Sequence, residues 1–228
     1  MLDNSVGEND GDGMEHRNST MITDNADKIE GNETALLGTF SHEFFHSWNV
    51  ERIRPKSLEP FNFEHANMSN ELWLAEGFTQ YYGGLVLKRA ALHNLENYCL
   101  TLSSLLNSVL NTPGAQKFPV TQMSRYAVFT DAGVSIDQDN YANVFTSYYT
   151  YGAVIALALD LRLRSEFNKT LDDYMQALWK AHGKTEIPYT ISDLQNILLK
   201  LTNATFAHNF FKSYIYGIEK NDYQKLLN

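Results

Sequence analysis

The chain has 228 residues and a formal net charge of −9, with 43% hydrophobic and 13% aromatic residues. This composition predicts a folded protein with a sizeable core and excludes disorder of the whole chain. Residues 1–33 carry nine acidic and two basic side chains, so most of the negative charge lies there. The rest of the sequence has no basic stripe, and we therefore expect no nucleic-acid partner.

A disulfide framework and a membrane span are also excluded by the sequence. Cys99 is the only cysteine, and no apolar run reaches the 18 residues of a transmembrane helix. The first residues, MLDNSVGENDGDG, are polar and acidic, unlike a signal peptide. We expect a soluble protein without membrane insertion. The residues do not favour either the cytoplasm or the periplasm, so both compartments stay open.

The predicted elements start with a solvated tail of about a dozen residues and one short strand within residues 16–24. From Glu33, apolar residues recur at helical spacing, which predicts a helix that ends near Val50, before the extended segment at Pro55. Ser69 is the predicted N-cap of a second helix, which runs to about residue 92.

The remaining elements are predicted to be helices separated by one irregular region. A third helix covers residues 97–111, and residues 112–147 hold most of the irregular structure because of their turn residues. Further helices are predicted over residues 149–167, 171–182, 191–202 and 205–216. The expected fold is mainly α with a small N-terminal β element. We expect one domain, in which residues 1–33 form a tail and an edge strand and residues 34–228 form the helical body.

The first helix contains the segment HEFFH, residues 42–46. His42 and His46 are four positions apart, so their Cβ atoms lie about 6 Å from each other on one helix face, close enough to share a cation. Glu43 projects about 100° away and can reach a water molecule on that cation. A buried helix that carries two histidines by chance is an equally good interpretation of this segment alone.

A carboxylate on the second helix favours the metal. Glu76 lies in the apolar stretch LWLAEGF, where an unpaired carboxylate costs on the order of several kcal/mol. Two histidines and one carboxylate form the ligand set of a catalytic zinc site with an open fourth position. The competing interpretation is a salt bridge from Glu76 to Arg52 or Arg54. Taken together, the two helices indicate one zinc ion.

Four segments, in order, resemble the PDZ-containing glycyl aminopeptidase family, a bacterial group of gluzincin metallopeptidases related to aminopeptidase N and leukotriene hydrolase. They are DGMEHRNST (12–20), HEFFHSWNVERIRP with LWLAEGFTQYY (42–55 and 72–82), SYYTYGAVIALALDLRLR (147–164) and FFKSYIYGIEKNDYQKLL (210–227). The 29 residues between His46 and Glu76 fit this family, because aminopeptidase N relatives have a shorter gap.

The resemblance implies a thermolysin-like catalytic domain with one zinc ion between two helices. Its ligands would be His42, His46 and Glu76, and Glu43 would be the general base. Tyr149 would donate the hydrogen bond that stabilises the transition state, with Tyr148 as the alternative.

The resemblance also implies a substrate site on the edge strand. Glu15 would bind the free α-amino group of a peptide, and Gly13 and Met14 would lie beside it. Two residues depart from the family pattern: Asp12 replaces a glycine, and Tyr151 replaces a lysine.

The function implied is a zinc aminopeptidase that removes N-terminal Gly, or Ala, from peptides. A zinc endopeptidase and an inactive, zinc-binding peptide scaffold stay open as alternatives. The family has an N-terminal β-rich domain and a C-terminal PDZ module, which we expect in the full-length protein. The other histidines lack metal-ligand spacing: His16 lies in the exopeptidase-like segment, and surface or capping positions are predicted for His65, His93, His182 and His208.

Overall fold

The computed structural model describes residues 2–3, 12–24, 36–130 and 139–228. The predicted helix start at Glu33 and most of the acidic tail lie outside the described residues. Two residues of the tail that was predicted to be solvated form β1 (Leu2–Asp3), which pairs with a later strand.

The small sheet contains β1, β2 (Asp12–His16) and β3 (Ser19–Thr23) in the order β1-β3-β2. The prediction of one short strand within residues 16–24 is confirmed, because β3 lies there. The residue pattern did not show β2, which precedes β3 across a turn at Arg17 and Asn18. Side chains alternate between the two faces of a strand, so Gly13 and Glu15 share one face of β2 and Met14 lies on the other. Within the described residues, β2 is an edge strand.

Helices make up most of the described chain, and the prediction of a mainly α fold with a small N-terminal β element is confirmed. The helices are α1 (Leu37–Phe45), α2 (Leu72–Ala75), α3 (Gly77–Arg89), α4 (Leu95–Asn111), α5 (Pro113–Lys117), α6 (Val120–Thr130), α7 (Tyr141–Val144), α8 (Tyr148–Phe167), α9 (Leu171–Leu178), α10 (Ile191–Leu201), α11 (Ala204–Phe210) and α12 (Tyr223–Leu226). Turns of π-helix, Trp179–Gly183 and Phe211–Ile215, extend α9 and α11.

The prediction that residues 112–147 are mostly irregular is wrong for their described part, which contains α5, α6 and α7. Pro113 starts α5 instead of only ending α4, because a proline in the first helical turn lacks only an N–H that would have no helical partner.

The ends of the first two predicted helices also differ from the structure. Helix α1 ends at Phe45, and single turns continue to Val50 through bonds such as Val50 N to the His46 carbonyl oxygen, 3.3 Å. Ser69 does not cap a helix; its hydroxyl donates to the Glu71 carboxylate over 2.9 Å, and α2 starts at Leu72.

Helix α8 forms the centre of the core, and all its residues from Tyr151 to Asp160 are buried. It touches the α2–α3 segment through backbone, because a Cβ added to Gly152 would lie 2.0 Å from the carbonyl oxygen of Trp73. Helix α3 also contacts α1, where the Ser41 hydroxyl donates to the Gly83 carbonyl oxygen over 3.0 Å. Helix α3 therefore holds α1 and the start of α8 close to each other.

None of the helices in the described ranges has the length and apolar character needed to cross a membrane.

Candidate active site

Helix α1 and the α2–α3 junction bring three potential ligand atoms together. His42 Nε2 lies 3.0 Å from His46 Nε2 and 3.2 Å from Glu76 Oε2, and His46 Nε2 lies 3.1 Å from the same carboxylate oxygen. Glu76 is the residue between α2 and α3. The three atoms thus form a nearly equilateral triangle.

The alternative pairing of Glu76 with an arginine is wrong. Arg54 pairs with Glu59, with 2.7 Å between Nε and Oε2. Arg52 donates to the Ser47 carbonyl oxygen and, across 3.2 Å, to Asn18 Oδ1 in the turn between β2 and β3. The two histidines are therefore the partners of Glu76.

This triangle attracts positive charge. Burial alone would raise the pKa of Glu76, but hydrogen bonds from His42 and His46 outweigh it and lower the pKa to about 2. Burial alone would lower the pKa of His46, but its hydrogen bond to Glu76 and the negative charge there raise the pKa to about 9. A cation at the centre of the three donors, either a proton or a metal ion, satisfies the carboxylate.

The donor set fits one metal ion of the size of zinc. Ligand atoms at about 2.0–2.1 Å from a tetrahedral zinc ion lie about 3.3–3.4 Å apart, and the observed separations are 3.0–3.2 Å. The chemistry of the set, two imidazole nitrogens and one carboxylate oxygen, is also that of zinc. These three residues could hold such an ion.

Glu43 lies next to the triangle without being part of it. One carboxylate oxygen is within 4.8 Å of a His46 ring nitrogen and of a Glu15 carboxylate oxygen. The side chain is buried, and burial raises the pKa of the carboxyl group. Its Oε2 atom has no hydrogen-bond partner among the described residues. A buried carboxylate oxygen normally has a partner, so this atom retains an unused capacity to accept a hydrogen bond.

The edge strand β2 packs directly against Glu43. A Cβ added to Gly13 would lie 2.4 Å from Glu43 Oε1, so only glycine lets the strand come this close. Glu15 lies on the same face of β2 and joins the cluster. The Met14 side chain is 57% exposed on the opposite face, and the structure does not bring it to the cluster.

A cleft of about 560 Å³ opens on one side of Glu43. It is lined by Asp12, Gly13, Gly38, Thr39, His42, Glu43, Gln80, Gly83, Gly84, Leu87, His93, Tyr98, Thr101 and Tyr149. The Tyr149 ring stacks on the His42 ring, with 5.8 Å between centroids, whereas Tyr148 and Tyr151 are buried in the core. Of the three tyrosines, the structure thus brings Tyr149 to the cleft.

Another cleft, of about 470 Å³, is also bordered by Glu43. This cleft is lined by three aromatic side chains on α1 or just after it, Phe40, Phe44 and Trp48. The turn between β2 and β3 also lines it. Glu43 therefore borders two open spaces.

The other histidines occupy varied positions. His65 and His208 are exposed, as predicted, and His16 in β2 is also exposed. The prediction of a surface or capping position is wrong for His182, which is buried and whose Nδ1 lies 2.9 Å from the Ile187 carbonyl oxygen. His93 lines the larger cleft.

Sequence reasoning missed Asn49 and the glycines at the contact between α3 and α8. Asn49 is fully buried and contacts both ligand-bearing segments. Its only signal in the sequence is a polar residue three positions after His46. Gly77 and Gly152 gave no sequence signal of contact, since they are 75 positions apart.

Comparison with known proteins agrees with this arrangement. Residues 35–155, more than half of the chain, match the model of the M61 glycyl aminopeptidase family. The crystal structure of an aminopeptidase N family protein from Idiomarina loihiensis matches the whole chain with a TM-score of 0.85 and 32% identity. The chain spans 39% of the length of that protein, and no curated protein matches it. The resemblance seen in the sequence is confirmed, and the chain belongs to the M61 glycyl aminopeptidase family.

Proposed function

We propose that the protein is a zinc-dependent aminopeptidase that hydrolyses the N-terminal peptide bond of peptides, with a preference for Gly or Ala. One observation carries this proposal: two imidazole nitrogens and one carboxylate oxygen lie 3.0–3.2 Å apart beside the buried carboxylate of Glu43. The preference for small residues rests on membership of the glycyl aminopeptidase family.

His42, His46 and Glu76 would hold one zinc ion between α1 and the α2–α3 junction. When bound, zinc would polarise the scissile carbonyl group and lower the pKa of a water molecule. The chain supplies the remaining chemistry through side chains at the edge of the cleft.

Glu43 acts as the general base in this proposal. Its carboxylate accepts a proton from the attacking water and delivers it to the leaving nitrogen as the C–N bond breaks. The oxygen atom without a hydrogen-bond partner and the raised pKa of Glu43 suit a group that must both take and return a proton. Tyr149 donates a hydrogen bond to the oxyanion, a role supported by its position in the cleft, while Tyr148 is buried.

Strand β2 orients the substrate in this proposal. An extended peptide can pair with an edge strand through backbone hydrogen bonds, and Gly13 and Met14 would offer their backbone for this purpose. Glu15, on the face of β2 that meets Glu43, would bind the free α-ammonium group.

The proposed domain organisation follows from the same family. Residues 34–228 would be the body of the catalytic domain, and residues 1–33 would contribute its edge strand. The β-rich domain and the PDZ module expected in the full-length protein rest on membership of that family.

Two experiments test the proposal. The purified protein should contain one equivalent of zinc that His42→Ala loses and that His208→Ala, a change at an exposed histidine, retains. An unblocked Gly-peptide should be cleaved much faster than its N-acetylated twin. Equal rates would indicate an endopeptidase, and binding of zinc and peptide without hydrolysis would indicate a scaffold.

A further inference from the structure

Asn49 lies in the turn after α1, at a point where it contacts both halves of the ligand triangle. Its side chain has no exposed surface. Its backbone carbonyl oxygen is 2.6 Å from His46 Nδ1. A neutral histidine that donates from Nδ1 leaves the lone pair of Nε2 free, and His46 Nε2 is the atom that faces His42 and Glu76.

The Asn49 side chain reaches the other ligand-bearing segment. Its Nδ2 lies 2.9 Å from the Leu74 carbonyl oxygen, 3.1 Å from the Ala75 carbonyl oxygen and 3.1 Å from Thr79 Oγ1. The Thr79 hydroxyl in turn donates to the Ala75 carbonyl over 2.6 Å. Ala75 immediately precedes Glu76, so these bonds fix the backbone from which the third ligand projects.

We propose that Asn49 is a positioning residue for the metal centre. Its backbone carbonyl oxygen orients His46, and its side-chain amide sets the distance from that histidine to Glu76. The inference rests on the proposed zinc site and goes beyond it, because Asn49 touches no metal or substrate. Only a neutral donor suits this position, since an aspartate would place negative charge against two carbonyl oxygens. Removing a residue that orients a metal ligand typically lowers metal affinity by about 10- to 100-fold.

A merely structural role for Asn49 would reduce stability without a specific effect on metal binding. Tyr174→Phe is the matched control, because it also removes a buried hydrogen bond, from the Tyr174 hydroxyl to the Leu194 carbonyl oxygen (2.9 Å), on helices that carry no proposed ligand. The affinity for Zn²⁺ is measured by competition with a chromophoric chelator, the geometry by the visible spectrum of bound Co²⁺, and stability by urea unfolding of the metal-free protein.

We expect Asn49→Ala to weaken Zn²⁺ binding by about 10- to 100-fold and to change the Co²⁺ spectrum, while Tyr174→Phe changes neither. If Asn49→Ala does not fold, Thr79→Val, which keeps the shape and removes the hydroxyl next to the Asn49 amide, should weaken Zn²⁺ binding in the same direction. A folded Asn49→Ala variant with the parent's Zn²⁺ affinity and Co²⁺ spectrum would overturn the inference. If only Thr79→Val folds, the same result in that variant would overturn it. An equal loss of Zn²⁺ affinity in Tyr174→Phe would also overturn it. Failure of the zinc site itself is distinguishable, because the parent would then bind no Zn²⁺.

Discussion

The proposed metal ligands and the proposed substrate contacts are held in different ways. His46 and Asn49 are buried, and the α2–α3 segment that carries Glu76 packs on the central helix α8 through backbone. The β2–β3 hairpin buries one side chain, Ile22, and its turn is tied to the body by polar contacts. Arg52 donates to Asn18 in its turn, and Arg17 pairs with Glu186, both side chains being about half exposed.

This difference predicts how the two regions respond to substitution. Close packing leaves buried helices no room to adjust, so changes there should affect stability and metal binding together. Exposed ion pairs contribute little because water and salt screen them. Changes in the hairpin should therefore affect substrate binding and the position of Glu43 without loss of metal.

The largest expected effect is on chemistry at Glu43, where the two regions meet. Glu43→Gln removes the proton acceptor and keeps the shape of the side chain, so the catalytic rate constant should fall by about 10²- to 10⁴-fold. Zinc content should not change, because Glu43 lies outside the ligand triangle. A variant that hydrolyses an unblocked Gly-peptide at the parental rate would rule out this role.

A change inside the helical region should cost the most stability. In Gly152→Ala, the new Cβ meets the carbonyl oxygen of Trp73, a backbone atom that no rotamer change can move away. We expect a loss of about 3 kcal/mol in the free energy of unfolding, measured with urea. Gly38→Ala is the control, because its Cβ meets no described atom within 4 Å. An equal loss in both variants would contradict the close approach of α8 to the α2–α3 segment.

A change in the hairpin should affect catalysis instead. In Gly13→Ala, the new Cβ occupies the space of the Glu43 carboxylate, which must rotate away. A base displaced by about 1 Å can cost roughly 10²-fold in rate, so we expect kcat to fall by about that factor with zinc content unchanged. Loss of zinc in this variant would show that the two regions are not separate.

The smallest expected effect concerns the surface ion pair of the hairpin. Glu186→Gln removes the partner of Arg17 and should raise KM for an unblocked peptide by no more than about threefold, because exposed pairs are weak. The difference from the parent should shrink further at high salt. A large fall in kcat, measured in the same assay, would mean that the hairpin depends on this one contact.

Local patterns were sufficient to predict part of the candidate site. His42 and His46 share a helix face because of their spacing, and Glu76 was singled out because a carboxylate in an apolar helix needs a cationic partner. Glu15 and Tyr149 came from resemblance to a family, since an exposed glutamate and one of three neighbouring tyrosines have no distinctive local pattern. Their roles stay predictions.

Other features depend on contacts between distant parts of the chain. The sequence predicted irregular structure after Pro113, although a proline can also start a helix. Only the packing of α5 and α6 decides between an irregular segment and a helix. His182 is buried by the fold and not by its neighbours in sequence.

The amino-acid sequence by itself determined a mainly helical protein, the ligand pair at the C-terminal end of α1 and the family, because helical spacing and short motifs are local properties. Tertiary structure alone decided that Gly13 makes room for Glu43, that Gly152 lets α8 touch the α2–α3 segment, and that the Asn49 side chain binds the carbonyl oxygens of Leu74 and Ala75. Those contacts connect residues 25 or more positions apart, and close packing, which no local pattern encodes, decides which atoms meet.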